Sequence, residues 1–420
     1  MRISDRLKSP MVANFLSLAF LQGVNYVLPL LSFPYLFRVL GVERWGLVAF
    51  GFSLMQYFVM FTDFGFNLSA TKYISENRQD TAKINAYLNS AMTGRFVLCG
   101  LSLLVLLVLI GCVGPFKAEP VFYLLYFGMI LGNVMFPLWF FQGMENMKYI
   151  TLFNILAKAI SILPLFLFVR GPEQYIYVPV CYSLGFVLAG VVSLYIVYRK
   201  MGMSWYVTPM AETWEVLRNS GTFFLSRLSV SLFTTSNSFL IGLVCGNTAV
   251  GYYSAAEKLY QAYNQLLTPF TGVLFPHIAK SRDTVFFQKV FYRITVANLF
   301  SVSAVLLLGG FILRFVYGSA DPAILEIFDI VLCASFVAIP SILLGYPFLA
   351  AMGHPKYTNW TVILTSVFHI AGLGFLYLNG WLVPVTVAGL VVLSETMLCG
   401  LRVFGVRKYG LFGKQVARPQ

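Results

Sequence analysis

Residues 96–112 read FVLCGLSLLVLLVLIGC, seventeen positions in a row without a charged side chain. Upstream of this run the sequence stays mostly apolar to about residue 86, with Arg95 as its one charge. A helix needs roughly 20 mainly apolar residues to cross the hydrocarbon core of a bilayer. The segment 86–112 is therefore predicted to be a transmembrane helix.

The composition of the chain extends this prediction beyond one segment. Of its 420 residues, 59% are hydrophobic and only 11% are charged, and the mean hydropathy is +0.78. A soluble domain has about a quarter of its residues charged, because water must wet its surface. Charge is too sparse here for a water-soluble globule of this length, so we predict an all-α integral membrane protein.

Further apolar segments follow at intervals along the chain. Helices are expected throughout, because strands would need a closed barrel and an alternating pattern that these runs lack. We predict about 12 transmembrane helices of the required length. They lie at about 12–37, 46–71, 86–112, 120–143, 150–169, 175–198, 217–243, 249–276, 290–317, 323–351, 358–379 and 381–404.

The basic residues indicate how the helices cross the membrane. Lys and Arg gather in alternate connections, which is the pattern of the cytoplasmic side. This bias predicts that both termini are cytoplasmic, and it accounts for the net charge of +13 without nucleic-acid binding. The first apolar segment is long enough to span, so a cleaved signal peptide is not expected. Residues that carry the bias include Arg6, Lys8, Lys72, Arg78, Lys83, Arg199, Lys200, Lys280, Arg282, Arg407 and Lys408.

The two halves of the chain echo each other at similar offsets. We predict a parallel internal repeat of two six-helix lobes, 1–200 and 219–420, joined by a cytoplasmic connection at 201–218. Parallel repeats of this kind enclose a pathway that opens alternately to each side of the membrane, which is a transporter architecture. The matched pairs are Gly41 and Gly246, Gly46 and Gly251, Pro137 and Pro347, Gly143 and Gly353, and Lys148 and Lys356.

The sequence offers little for catalysis or for metal binding. Its six cysteines stand singly, and no Cys-x-x-Cys pair or Cys/His cluster occurs. The histidines His277, His354 and His369 are also isolated, and we interpret them as loop residues. No connection is long enough to hold a catalytic domain, and no phosphate-binding Gly-rich loop is visible. We therefore expect neither an enzyme, nor a metal site, nor a bound cofactor.

Two segments carry a family resemblance. Residues 40–50, LGVERWGLVAF, and residues 62–75, TDFGFNLSATKYIS, resemble the first two spans of bacterial O-antigen (Wzx-type) flippases. These are lipid-linked oligosaccharide flippases, or polysaccharide biosynthesis proteins, of the multidrug/oligosaccharidyl-lipid/polysaccharide exporter superfamily. The resemblance implies a twelve-helix protein of the bacterial inner membrane in two lobes.

The resemblance also implies a cargo and partners. The cargo would be an O-antigen or related polysaccharide repeat unit on undecaprenyl pyrophosphate, moved from the cytoplasmic to the periplasmic leaflet. An O-antigen polymerase and a chain-length regulator are the implied protein partners, and membrane lipid surrounds the chain. The alternative is a cation-coupled multidrug exporter of the same superfamily, which should have a net negative lumen.

Ionisable residues at membrane depth are the functional candidates, because burying a charge in a bilayer is costly. Polar residues recur at helical spacing in spans seven and eight, so they share one helix face. Such a face either lines an aqueous lumen or hydrogen-bonds a neighbouring helix. Lumen candidates for binding the anionic head group are Arg95, Lys158, Arg227, Lys258, Asn264 and Ser231. Candidates for ion coupling or for a structural ion pair are Asp63, Glu257 and Glu395.

These residues predict alternating access through a cationic lumen. The head group would enter from the cytoplasmic leaflet while its prenyl tail stays in lipid. Energy would come from a proton or sodium gradient, or from removal of the product by polymerisation.

Overall fold

The computed structural model describes the backbone of residues 10–412. Side-chain surroundings are described for residue 28 and for 31–412, apart from 222, 225–227, 229–234 and 268–269. Every predicted apolar segment is helical, and the described range contains no β-strand. The all-α prediction is confirmed.

The chain packs as two compact units, one ending at Leu228 and the other beginning at Ser229. The lobes at 1–200 and 219–420 stay a prediction, and helix α10 (Met210–Cys245) runs through residues 219 and 228 without interruption. The other helices of the first unit are α1 (Pro10–Asp63), α2 (Phe66–Glu76), α3 (Thr81–Cys112), α4 (Gly114–Lys117), α5 (Pro120–Val134), α6 (Leu138–Gly143), α7 (Met147–Ile162), α8 (Leu165–Phe168) and α9 (Tyr177–Tyr195).

The second unit, like the first, consists of long helices, some of which are interrupted. Nine helical stretches of the described residues are long and apolar enough to cross a membrane by length and composition, so the count of about 12 stays a prediction. The helices that follow α10 are α11 (Asn247–Gln265), α12 (Thr268–Ser281), α13 (Thr284–Leu307), α14 (Gly309–Tyr317), α15 (Pro322–Cys333), α16 (Ser335–Leu344), α17 (Pro355–Leu378) and α18 (Pro384–Lys408).

Two glycines of the predicted repeat adopt the same rare backbone conformation. Gly41 has φ 73° and ψ 170°, and it bends α1 between the first and second predicted spans. Gly246 has φ 84° and ψ 178°, and it separates α10 from α11 at the corresponding place in the second unit. This region of φ/ψ space is essentially restricted to glycine. The matched glycines thus form two similar one-residue turns.

The fourth and tenth predicted spans are both interrupted at matched prolines. In the fourth span, α5 ends at Val134 and α6 begins after Pro137. In the tenth span, α16 ends at Leu344 and a π-helical stretch, Gly345–Ala350, contains Pro347. A proline has no N–H to donate to the carbonyl four residues earlier, so the regular hydrogen bonding of the helix stops at each break.

Small residues bring three helices of the first unit close together. A Cβ built on Gly132 of α5 would lie 2.2 Å from the backbone of Phe186 in α9. A Cβ on Gly185 would lie 2.1 Å from Ser161 Oγ in α7. Helices in a bilayer associate largely by such close backbone packing. The opposite faces of these helices expose large apolar side chains, such as Val121 of α5 at 59% and Leu184 of α9 at 53%, as expected for contact with lipid.

Candidate functional site

The second unit contains a polar cavity of about 340 Å³ within its helical bundle. Eight of its eleven lining residues are polar, which is unusual inside a chain as apolar as this one. Two of the eight are glutamates, on different helices. The lining residues are Asn237, Tyr253, Glu257, Tyr260, Gln261, Asn264, Gln265, Val331, Ile342, Val391 and Glu395.

Helix α11 supplies most of the polar wall. Glu257, Gln261 and Asn264 follow one another at intervals of four and three residues, so the helix presents them on one face. Glu395 joins them from α18. The structure thus brings together three committed candidates, Glu257, Asn264 and Glu395, around one cavity.

Hydrogen bonds fix the polar side chains of the wall. Ser238 Oγ, on α10, donates to Glu257 Oε2 at 3.2 Å. Ser335 Oγ donates to Asn264 Oδ1 at 3.0 Å. The polar face of α10 that was predicted from its spacing therefore meets the polar face of α11 through Ser238.

The ionisable side chains of this wall are acidic. Lys258 follows Glu257 in sequence, but it is absent from the lining residues, and its Nζ donates to Gln261 Oε1 at 3.3 Å. The two carboxylates are therefore the charged groups among the residues that line the cavity. Carboxylate and amide oxygens together can take up a proton or ligate a small hard cation. They would repel a diphosphate.

A hydrogen-bonded network extends from this cavity to His369. The ring of His369 lies between Asn237 of α10, with Nε2 2.8 Å from Oδ1, and Ser394 of α18, with Nδ1 2.8 Å from Oγ. Asn237 Nδ2 in turn donates to the hydroxyl oxygen of Tyr253 at 2.9 Å. Sequence reasoning missed this network, and the interpretation of His369 as a loop residue was wrong, because it lies inside α17 with 0% exposure.

A signal for His369 was present in the sequence. It lies at the end of a polar face of α17 that repeats every three or four residues and is buried along its whole length. The residues of this face are Thr358, Thr361, Thr365, Ser366 and His369.

Arg95 lies at the interruption of the fourth span instead of facing a cavity. Its Nη2 donates to Asn133 O at 3.0 Å and its Nη1 donates to Phe136 O at 3.1 Å, while the residue is only 2% exposed. Pro137 has no N–H that could donate to the carbonyl of Asn133, four residues earlier. Asp63 lies near enough for electrostatic attraction to Arg95, which favours the structural ion pair weighed for Asp63.

Arg402 plays a similar part in the second unit and was not predicted. Its Nη1 donates to Ser341 O at 2.8 Å and to Ser341 Oγ at 3.2 Å. The guanidinium packs against Gly345, where the π-helical stretch begins, and a Cβ there would lie 2.8 Å from Arg402 Cζ. Each unit therefore holds a buried arginine against the break in its own proline-interrupted span.

The remaining candidates are less well placed for a common site. Lys158 lies on α7, partly buried and at a different place in the first unit. The side chains of Arg227 and Ser231 lie outside the described residues, although their backbone belongs to α10. Among the described residues no group of three or more His, Cys, Asp or Glu could hold a metal ion.

Comparison with known proteins identifies the family of this chain. The profile of the family described as "Polysaccharide biosynthesis protein" matches residues 11–282, more than half of the chain. The chain belongs to this family. The family match begins at residue 11 and extends through the rest of the first unit and through α10, α11 and α12, so the acidic wall of α11 lies within it.

The chain also resembles a curated protein with a transport name. The protein named "Putative O-antigen transporter" of Escherichia coli (strain K12) is 32% identical over 269 residues. That alignment covers 64% of this chain and 65% of the relative, so it spans just under two thirds of the relative's length.

Two solved structures share the fold. The lipid II flippase MurJ in an inward closed conformation aligns with a TM-score of 0.75 at 14% identity, over 94% of this chain and 87% of that chain. An inward-facing multidrug resistance MATE family transporter of the MOP superfamily aligns with a TM-score of 0.67 at 13% identity, over 93% and 96%. At these identities the likeness concerns the fold, and it confirms an all-helical membrane transporter fold. The family match, together with the apolar helices of the described residues, confirms the prediction of a multi-pass membrane protein.

Proposed function

We propose that the chain is a flippase for lipid-linked oligosaccharides. Its cargo would be an O-antigen or related polysaccharide repeat unit on undecaprenyl pyrophosphate. The unit would move from the cytoplasmic to the periplasmic leaflet of the bacterial inner membrane, and both termini would be cytoplasmic. Family membership carries this proposal, supported by the relative named as an O-antigen transporter and by the fold shared with a lipid II flippase.

The acidic cavity suggests how transport is energised. Glu257 and Glu395 line a cavity whose other polar groups are amides and tyrosine hydroxyls. Carboxylates at membrane depth are typical of proton and cation pathways. We propose that a proton or sodium ion binds between these helices, and that its release accompanies the change from one open state to the other.

The head group needs a different surface from this cavity. Its diphosphate is anionic, so basic residues should receive it. Arg95 is committed to backbone carbonyls, which leaves Arg227 and Lys158 as the proposed cationic contacts, with Ser231 beside Arg227 on α10. Lys258 would instead serve the ion site, through Gln261. The polymerase and the chain-length regulator remain proposed partners.

One observation favours the second candidate function. A cation-coupled multidrug exporter should have a net negative cavity, and the lining residues of the described cavity carry two carboxylates. The two functions differ in cargo: an exporter of organic cations would confer resistance to cationic dyes, whereas a flippase would restore surface polysaccharide.

The deciding experiment is complementation of a flippase-deficient bacterium. The wild-type chain should restore surface O-polysaccharide. With Glu257→Gln or Glu395→Gln at equal membrane abundance, the amount of surface O-polysaccharide should be at least tenfold lower. Glu173→Gln, at an exposed position before α9, is the matched control and should behave as wild type. Failure of the wild type in several hosts, together with resistance to cationic dyes, would assign the chain to drug export instead.

A further inference from the structure

The connection that leads into α10 is hydrogen-bonded along α3. Residues 202–209 are not helical, and they follow a π-helical stretch, Ile196–Lys200, that continues α9. Three backbone N–H groups of this connection, on alternate residues, donate to side chains of α3. They are Ser204 N to Asn85 Oδ1 at 3.0 Å, Tyr206 N to Asn89 Oδ1 at 3.3 Å and Thr208 N to Thr93 Oγ1 at 3.5 Å. Asn89 Nδ2 also donates to Ser204 O at 2.8 Å.

The spacing of the two partners explains this ladder. The three side chains of α3 follow one another at intervals of four residues, and four residues of an α-helix rise by about 6 Å. Two residues of an extended segment advance by about 6.6 Å. Alternate residues of an extended segment can therefore stay in register with one stripe of a helix. The connection is held along α3 between residues 204 and 208 instead of projecting into water.

The position of the ladder on α3 places the connection at the membrane surface. Helix α3 has 32 residues, Thr81–Cys112, and the hydrocarbon core takes up about 20 residues of a helix. Counted back from Cys112, those residues reach Thr93. Asn85 and Asn89 therefore lie at the level of the lipid headgroups, at the start of the helix.

The connection and the first turns of α10 expose large apolar side chains. Val207 is 72% exposed and Trp214 is 66% exposed. Trp205, Tyr206 and Met210 are exposed as well. A contiguous exposed apolar surface of this kind marks a site of contact with protein or with a membrane.

The first turns of α10 have two distinct faces. Met210, Trp214 and Arg218 follow one another at intervals of four residues and share one face. Glu212 and Glu215 lie on the opposite face, where they line a polar cavity of about 480 Å³ with residues of α2 and α3. An amphipathic helix with Trp on its apolar face and a basic residue at the edge is typical of the membrane interface.

The neighbouring surfaces indicate that the partner is lipid. The ring of Trp205 packs against Phe96 of α3, with 6.2 Å between centroids, and against Tyr198, with 5.2 Å between centroids. Leu107, three turns after Phe96 on the same side of α3, is exposed, and so is Tyr195 at the end of α9. The aromatic surface thus continues the exposed apolar faces of two helices that contact lipid in a membrane-spanning bundle.

Charge complementarity points to the same partner. Arg199 and Lys200 precede the connection, Arg218 follows it, and all three are exposed. Basic residues beside a membrane are attracted to lipid phosphates. Tryptophan and tyrosine are enriched at the level of the headgroups, where an amphipathic ring can contact both water and acyl chains.

We infer that residues 202–214 bind the membrane surface. Their exposed aromatic and apolar side chains lie at the boundary of headgroups and acyl chains in the leaflet at the Thr81 end of α3, and the flanking basic residues contact lipid phosphates. On the proposed orientation this is the cytoplasmic leaflet. The connection predicted at 201–218 then lies on the membrane and holds the start of α10 at a fixed depth. The inference concerns lipid as the partner and does not depend on the cargo.

Tryptophan fluorescence tests this inference. The contribution of Trp214 is the difference between the wild type and Trp214→Phe, both in phosphatidylcholine nanodiscs, and Trp205→Phe gives that of Trp205 in the same way. Bromine atoms in the upper part of the acyl chains should quench each contribution by about half, because indole rings prefer the interface. Bromine atoms near the chain ends, and iodide in the aqueous phase, should each quench less.

Trp139 provides the control, because its side chain is buried in the first unit. The contribution removed by Trp139→Phe should respond to neither quencher. If iodide quenches Trp205 and Trp214 while brominated lipid leaves them unchanged, these residues lie in water and the inference is wrong. Quenching of both residues by neither reagent would also overturn it, since another part of the protein would then cover them.

The ladder provides a second arm of the test. Asn85→Ala/Asn89→Ala removes the partners of Ser204 and Tyr206, so trypsin should cut after Lys200 about tenfold faster than in the wild type, since cleavage follows local opening. Asn154→Ala is the matched control, because Asn154 Nδ2 donates to Ile150 O within its own helix. This variant should be cut like the wild type. Equal cleavage of the wild type and the double variant would refute the role of the ladder.

Discussion

Replacement of Arg95 by methionine should destabilise the first unit without acting through cargo. Methionine keeps much of the side-chain volume but removes the hydrogen bonds that Arg95 donates to Thr62 O, to Phe136 O, and to the backbone and side-chain oxygens of Asn133. A hydrogen bond to a charged group contributes about 1.5–3 kcal/mol. Because helices in a bilayer also find partners when unfolded, we use the lower end of that range for the two shortest bonds, those to Asn133 O and Phe136 O, which gives a loss of about 3 kcal/mol.

The assay is thermal unfolding of the purified protein in detergent, followed by size-exclusion chromatography. A loss of about 3 kcal/mol corresponds to a fall in apparent Tm of roughly 5–10 °C. Arg95→Lys keeps the charge but has no planar fork to bridge two carbonyls, so its Tm should fall between those of methionine and wild type. Arg199→Ala, at an exposed position, is the control and should change stability by less than about 0.5 kcal/mol.

A second substitution tests the reason for the effect. Asn133→Ala removes the side-chain oxygen that accepts from Arg95 Nη2 at 3.2 Å, so Arg95→Met should cost about 1 kcal/mol less in that background. An Arg95→Met variant with wild-type Tm and abolished polysaccharide export would refute the account and return Arg95 to the cargo path.

Three further substitutions test the packing of the breaks and turns. Gly345→Ala should destabilise the protein by about 1–3 kcal/mol, because the new Cβ would lie 2.8 Å from the Arg402 guanidinium. Gly400→Ala is the control: a Cβ there has no neighbour within 4 Å, so the variant should be neutral or stabilising. The Tm of each variant tests both expectations. Gly246→Ala should cost about 1–3 kcal/mol, since its φ of 84° and ψ of 178° suit glycine alone; wild-type Tm would contradict this. Asp283→Ala should cost about 1 kcal/mol by removing the hydrogen bond that Asp283 accepts from Phe286 N at the start of α13, and unchanged denaturant stability would speak against the cap.

Much of the fold follows from sequence because its cause is local. A run such as 96–112 has no option in a bilayer except a helix, and the stripe of Glu257, Gln261 and Asn264 faces one way on any helix. The correspondence of Gly41 and Gly246 was also visible in the sequence, because each is followed by a second glycine five residues later, Gly46 and Gly251.

The roles of individual charges could not be obtained in the same way. Arg95 was a candidate for the lumen. From sequence alone, a charged residue within a span is equally consistent with a transport pathway and with a side chain that donates to backbone carbonyls. The choice depends on Asn133 and Phe136, which lie about forty residues away in sequence. His369 was missed for the same reason, since its partners come from α10 and α18.

The one-residue turns at Gly41 and Gly246 have a practical consequence for anyone who tags this protein. A turn made by a single dihedral pair has no spare chain, so neither an epitope nor a protease site can be inserted there without pulling two long helices out of alignment. Reporters for mapping topology should go elsewhere, for instance beside the exposed Glu173 in the connection that precedes α9.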